Sequence, residues 1–269
     1  MNKLDEDILE QFFVLQTWRE RRLRLQRIWE PETFSWAKDR PAETWSTAIW
    51  HRALIRAGDG PEQLPVAREE ESMAKKGLEE MALLHPLWPH FERIKGFGPY
   101  LCGAYVAAAG DITKAPSVSS HWKGMGLDVL PNGRAPRRIR GLHKVERKVP
   151  CPPHVSLIGE QIRQQMIRAG GRLYGLYIQY KEAYAAKYPD RVEPLEDDGS
   201  EEAPSELQPH EKSPRMHRHK AALRCVQKLL YANLWKEHRL SQGLPVPSAY
   251  VFDILGHKDE ISIVDLYDA

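Results

Sequence analysis

The stretch Ile94-Lys95-Gly96-Phe97-Gly98-Pro99-Tyr100 constrains the fold more than any other, because it fixes where one helix stops and the next starts. Gly96 and Gly98 permit positive φ and close backbone approach. Pro99 suits the first position of a helix, where its missing N–H costs nothing. Leu101, Ala104, Tyr105 and Ala108 then recur at helical spacing. A helix that begins at such a turn directs free N–H groups and its positive dipole end outward, which suits a phosphate. A helix-hairpin-helix clamp on a nucleic-acid backbone and a plain helix–helix corner both fit these residues.

Several classes of function are disfavoured. No apolar run approaches the roughly 20 residues of a membrane span. The acidic opening Met1-Asn2-Lys3-Leu4-Asp5-Glu6-Asp7 lacks the apolar segment of a signal peptide, so a cytoplasmic location is expected and no membrane partner. Cys102, Cys151 and Cys225 form no Cys-x-x-Cys pair, which suggests neither a disulfide framework nor a four-cysteine zinc site. Cys151 and His154 with His217 and His219 would be half a zinc motif, and no metal is expected. There is no phosphate loop of the G-x-x-x-x-G-K-S/T type, and no cofactor is expected. Asp111, Asp128, Glu146 and Glu160 are scattered without a nuclease pattern, and His217, His219 and His238 lack a visible Ser or Cys partner. The chain is therefore not expected to be an enzyme.

Net charge is only +2, but its distribution is uneven. Basic residues dominate from Lys123 to Arg172, and acidic ones from Asp190 to Glu206. A segregated basic stretch is the electrostatic footprint of a phosphate-backbone binder, or else a solvated basic surface.

The expected fold class is mainly α, with the 269 residues arranged in four parts. Residues 1–85 read as a helical arm suited to dimerisation. Its helices run from Leu4 to Trp29, from Pro41 to about Leu54, and from Pro65 to Leu84, with Trp18, Trp29, Trp36, Trp45 and Trp50 as packing anchors. Residues 86–188 hold the glycine corner and a basic core. There Ser119 or Ser120 caps a short helix ending near Met125. Leu127–Leu130 and Lys144–Val149 could pair as a small β-hairpin around Asn132-Gly133. Helical stripes follow from Pro153, broken at Ala169-Gly170-Gly171 and resumed to Tyr188. Residues 189–214 read as an acidic linker or mobile loop. Residues 215–269 give a basic helix and a tail, with a strand-like or docking segment Ile261-Ser262-Ile263-Val264.

The residues expected to contact nucleic acid are Lys95, Gly96, Gly98, Lys123, Arg134, Arg137, Arg138, Arg140, Lys144, Arg147, Lys148, Arg163, Arg168, Arg215, His217, Arg218, Lys220 and Arg224. Arginine's planar fork suits phosphate. Arg215-Met216-His217-Arg218-His219-Lys220 also sets cations at the positive end of a helix, a conflict that an anion would resolve.

A family resemblance rests on the order of several short motifs. These are the glycine corner, Ala107-Ala108-Ala109-Gly110-Asp111-Ile112, the Ser/Thr stretch, Gly124-Met125-Gly126-Leu127, the basic segment, Leu157-Ile158-Gly159-Glu160-Gln161-Ile162, Tyr177 to Glu182, and Met216 to Arg224. Across roughly residues 90 to 240 this run resembles the C-terminal domain of the bridge-RNA-guided insertion-sequence transposases. It is still more similar to the compact Tas proteins of tandem interspaced guide RNA systems, whose core is related to the Nop domain of box C/D ribonucleoproteins. The resemblance implies a prokaryotic or phage-encoded, nucleoid-associated RNA-guided DNA binder, with a small guide RNA, target DNA and a second copy of the chain as partners.

Two departures bear on catalysis. The first 85 residues show no strands to carry the transposases' RuvC-like acidic site. Where those enzymes have a nucleophilic Ser-Gly step, this chain has Asn132-Gly133, and an amide cannot form a phosphoserine link. A serine recombinase remnant lacking its serine is therefore implied. An active transposase using another serine, and a guide-free DNA-binding module, are the alternatives.

Overall fold

A computed structural model of the chain describes residues 1–29, 60–128, 152–187, 214–247 and 261–268. Among these, every regular element is helical: α1 (Lys3–Trp29), α2 (Gln63–Leu83), α3 (Trp88–Glu92), α4 (Pro99–Ala109), α5 (Val118–Gly124), α6 (Pro153–Ala169), α7 (Gly171–Lys187) and α8 (Pro214–Ser241). Two 3-10 turns, Ile112–Lys114 and Val264–Leu266, complete them. The mainly α expectation thus holds. No described helix is long and apolar enough to cross a membrane. The helix expected from Pro41, the expected β-hairpin and the acidic linker fall outside the described residues.

The molecule is built around α4. Every residue from Leu101 to Ala107 is buried, as a helix apolar on all sides must be. α1 and α2 pack against each other and both lie on α4, which meets α6 on another side. Close approach needs a small residue where α2 crosses α4. A Cβ on Gly103 would come within 2.9 Å of the Leu78 side chain. Ile8 and Phe12 of α1 and Leu78 of α2 join Phe91, Tyr105, Ile162, Tyr177, Leu230 and Leu266 in one buried cluster. α8 covers the other flank, mainly against α7 and also against α5 and α6.

Two polar groups run through this apolar core. His121 and Tyr231 both lie against the Tyr105 ring, and His121 Nε2 meets the Tyr105 hydroxyl at 3.1 Å. Burial pushes the His121 pKa down to about 3, so the ring is neutral at physiological pH. The second group joins chain segments far apart in sequence. Asp5, in the first turn of α1, meets His85 Nε2 at 3.0 Å and His238 Nε2 at 3.2 Å, with all three residues buried. Gln242 Nε2 donates to the same carboxylate at 2.7 Å. Asn2 caps α1 by accepting the Asp5 N–H.

Local chemistry corrects two boundaries. α5 is capped by Ser117, not by Ser119 or Ser120, because Ser117 and Ser120 exchange side-chain and backbone hydrogen bonds in a reciprocal box. Of the two readings of Ile261–Val264, docking holds and the strand does not: residues 261–263 lead without regular structure into the 3-10 turn Val264–Leu266. Asp265 accepts from both the backbone and the hydroxyl of Ser262, and Ile263 and Leu266 enter the core.

Candidate nucleic-acid interface

α6 and α8 bring cations together at the threshold of the basic segment. Arg163 lies on α6, and Arg224 and Lys228 lie one turn apart on α8. The Arg224 guanidinium donates to the backbone carbonyl of Asp128, beyond which the described residues stop. Lys228 Nζ sits 4.8 Å from the centre of the Trp122 ring, whose indole N–H donates to the Lys228 carbonyl at 3.0 Å. Both side chains are partly buried in this position.

The crowding has an electrostatic signature. Burial first, and then the charge of Arg163, hold Arg224 below its usual pKa; burial and then Arg224 do the same to Lys228. The Asp128 carboxylate acts on both in the opposite sense, and Arg163 is paired with Glu160, so it is chiefly Arg224 and Lys228 that an anion across the row would meet.

Arg163 is fixed from behind. Its Nη1 donates to Gln227 Oε1 at 2.6 Å, and Glu160 accepts from its Nη2 at 2.7 Å. Gln227 is fully buried and donates in turn to the Tyr231 hydroxyl and to the Gly159 carbonyl. Beside the row, the Tyr177 hydroxyl meets His219 Nδ1 at 2.8 Å. Burial and then the charges of Lys181 and Lys220 lower the His219 pKa.

The glycine corner is a separate place. Gly96 has φ +81°, and a Cβ there would lie 2.4 Å from Ala169 Cβ, so the turn needs glycine to seat on α6. The Gly96 carbonyl accepts from Gln165 at 2.7 Å, and Tyr100 donates to Gln161 at 3.2 Å. At 100° per residue, Gln165 lies about 200° around α6 from Arg163. The corner and the cation row therefore occupy opposite sides of one helix. Gly98 caps α4 in extended backbone at φ −97°, with open space where a Cβ would be.

Of the expected contact residues, the structure brings Arg163 and Arg224 together. Lys95, Lys123, Arg168, Arg215 and Lys220 are exposed at other points, and His217 is half-buried. Arg218 is buried at 9% exposure, which turns it towards the protein and away from solvent. Arg134, Arg137, Arg138, Arg140, Lys144, Arg147 and Lys148 lie outside the described residues. Lys228 escaped the sequence reading, although its i, i+4 relation to Arg224 was a usable signal. Gln227 carried no signal, since its role depends on contacts 64 and 68 residues away.

Among the described residues, the one close grouping of metal-ligand side chains is Asp5, His85 and His238. It does not include His154, His217 or His219. His154 instead packs on Phe12 and Phe13. The His85 Nδ1 accepts the Leu87 N–H at 3.1 Å, so the proton sits on Nε2, where a metal would have to bind. The trio fits a buried hydrogen-bonded clasp, one carboxylate held between two ring nitrogens, better than a metal centre.

No protein-family model matches the sequence, and no match was found among curated proteins or among solved structures.

Proposed function

We propose that this is an RNA-guided nucleic-acid-binding protein that holds a small structured guide RNA and presents it to target DNA, without a nuclease of its own. The observation that carries the reading is the row Arg163, Arg224 and Lys228, crowded together where the basic segment begins. Arginine forks on a helical scaffold suit phosphate oxygens, and such contacts read backbone shape and not base sequence. Sequence would then be read by the guide through base pairing.

The relationship to Tas-like and Nop-domain proteins, the pairing of two copies through residues 1–85 and a prokaryotic or phage, nucleoid-associated setting belong to the same proposal. Freshly purified, nuclease-treated protein is expected to retain a discrete small RNA whose sequencing yields one dominant species. Recovery of only heterogeneous fragments, or of DNA alone, would favour a guide-free binder.

A further inference from the structure

The glycine corner already holds an anion, and the protein supplies it. Asp268 Oδ2 accepts the Lys95 N–H at 2.7 Å, and Oδ1 accepts the Arg172 N–H, also at 2.7 Å. One donor belongs to the corner before α4, the other to the start of α7. Both flank glycines with φ +81°, Gly96 and Gly171. A Cβ on Gly171 would lie 2.4 Å from Asp268 Oδ1, so glycine is what lets an anion approach this closely. Two convergent N–H groups from separate turns, beside Lys95 and Arg172, form a two-donor anion cradle, with the Arg172 guanidinium donating to the Asp265 carbonyl at 3.0 Å.

The segment that delivers the carboxylate is anchored independently of it. Ile263 and Leu266 are buried, Asn233 donates to the Ile261 carbonyl, and the Tyr267 hydroxyl meets His90 Nδ1 at 2.5 Å. Arg93 lies over the Tyr267 ring and its carbonyl accepts the Asp268 N–H. The Asp268 side chain can therefore leave the cradle by rotation alone, with the segment still docked.

We infer that Asp268 is an internal occupant of a second phosphate cradle, and that a bound polynucleotide displaces it. This rests on the nucleic-acid reading of the cation row, and adds to it an autoinhibitory contact at a separate site. A bound backbone phosphate would exchange with the carboxylate on the same two donors, so the contact sets a threshold that weak or non-specific anions must exceed.

The test uses full-length protein and a fluorescein-labelled RNA hairpin. Asp268→Ala and the near-isosteric Asp268→Asn should each bind the hairpin more tightly than the wild type, on the order of three- to tenfold. In amide hydrogen exchange of either variant, Lys95 and Arg172 should exchange fast without RNA and slow again when it is added. Unchanged or weaker binding, or amides that stay fast while RNA is bound, would overturn the latch and leave the cation-row reading standing. Failure of wild type and both variants to bind RNA at all would overturn both. Asp268→Asn keeps the test valid should the alanine variant fold poorly.

Discussion

Replacing Arg163, Arg224 and Lys228 together with alanine is expected to weaken RNA binding by on the order of a hundredfold at moderate salt, and to flatten its salt dependence by about two units of slope. Each phosphate contact contributes roughly 0.7 to 0.9 of a unit, through release of a condensed counterion. The three side chains differ in what else they do. Arg163 satisfies the buried Gln227, so its loss also costs stability, about 1–3 kcal/mol for a buried polar group left unpaired. The double variant Arg224→Gln, Lys228→Gln spares that bond, and its thermal melt accounts for the lost Arg224–Asp128 and Lys228–Trp122 contacts. Fluorescence anisotropy titrations at several salt concentrations measure both. An affinity that falls with no change in slope would mean that the substitutions act on folding and not on phosphate contact.

The second large effect is expected at the buried clasp. Asp5→Ala should destabilise the protein by several kcal/mol, because it leaves the buried His85 and His238 ring donors and the Gln242 amide without their acceptor, at about 1–3 kcal/mol for each polar group left unpaired. The carboxylate ties α1 to His85 after α2 and to His238 near the end of α8, so its loss loosens three parts of the core at once. The pH dependence has a definite sign. Burial alone would raise the Asp5 pKa, but the hydrogen bonds to His238 and His85 outweigh it and hold the carboxyl well below the usual range. Its stabilising contribution is therefore present above the unfolded carboxylate value, about 4, and is lost as pH falls through the lower folded value. His121 acts earlier. Its folded pKa of about 3 lies below the unfolded value of about 6.5, so stability falls across that window as the unfolded chain takes up a proton that the native ring refuses. Thermal melts between neutral pH and pH 3 should show the decline beginning near 6.5 in wild type and in Asp5→Asn alike. Only the loss below about 4 should be missing from Asp5→Asn. A flat melting temperature across the upper window would show that His121 is not held neutral.

The helical architecture was legible because its signals are local. The stripes on α1, α2, α6 and α8 follow the 3.6-residue period, and Gly98-Pro99 announces the start of α4 as read. The misplaced cap on α5 shows the limit, since three serines in four positions look alike until two of them bond each other. The β-branched residues of Ile261–Val264 suit a strand or a docking segment; it docks, and Ser262 and Asp265 close a turn that overrides the strand preference.

Site residues were legible in kind and not in place. Charge density marks Arg218 as a surface cation, yet α8 turns that position inward against its neighbours, because helical register and not charge decides burial. The residues of the corner fit both a phosphate clamp and a plain helix–helix corner; what the sequence cannot reveal is that the carboxylate of Asp268, 173 positions away, accepts the Lys95 N–H. The Asp5 clasp is equally hidden, its partners lying 80 and 233 residues along the chain. Long-range polar pairing leaves no period to detect.

Photo-crosslinking the labelled RNA hairpin to the intact protein, with the attached peptides mapped by mass spectrometry, reads the proposed binding face most directly. Adducts are expected around Arg163 on α6 and between Arg224 and Lys228 on α8, and they should be lost in the Arg224→Gln, Lys228→Gln variant. Adducts confined to α1 and α2, with none on α6 or α8, would contradict the assignment of the cation row as the face that grips the polynucleotide.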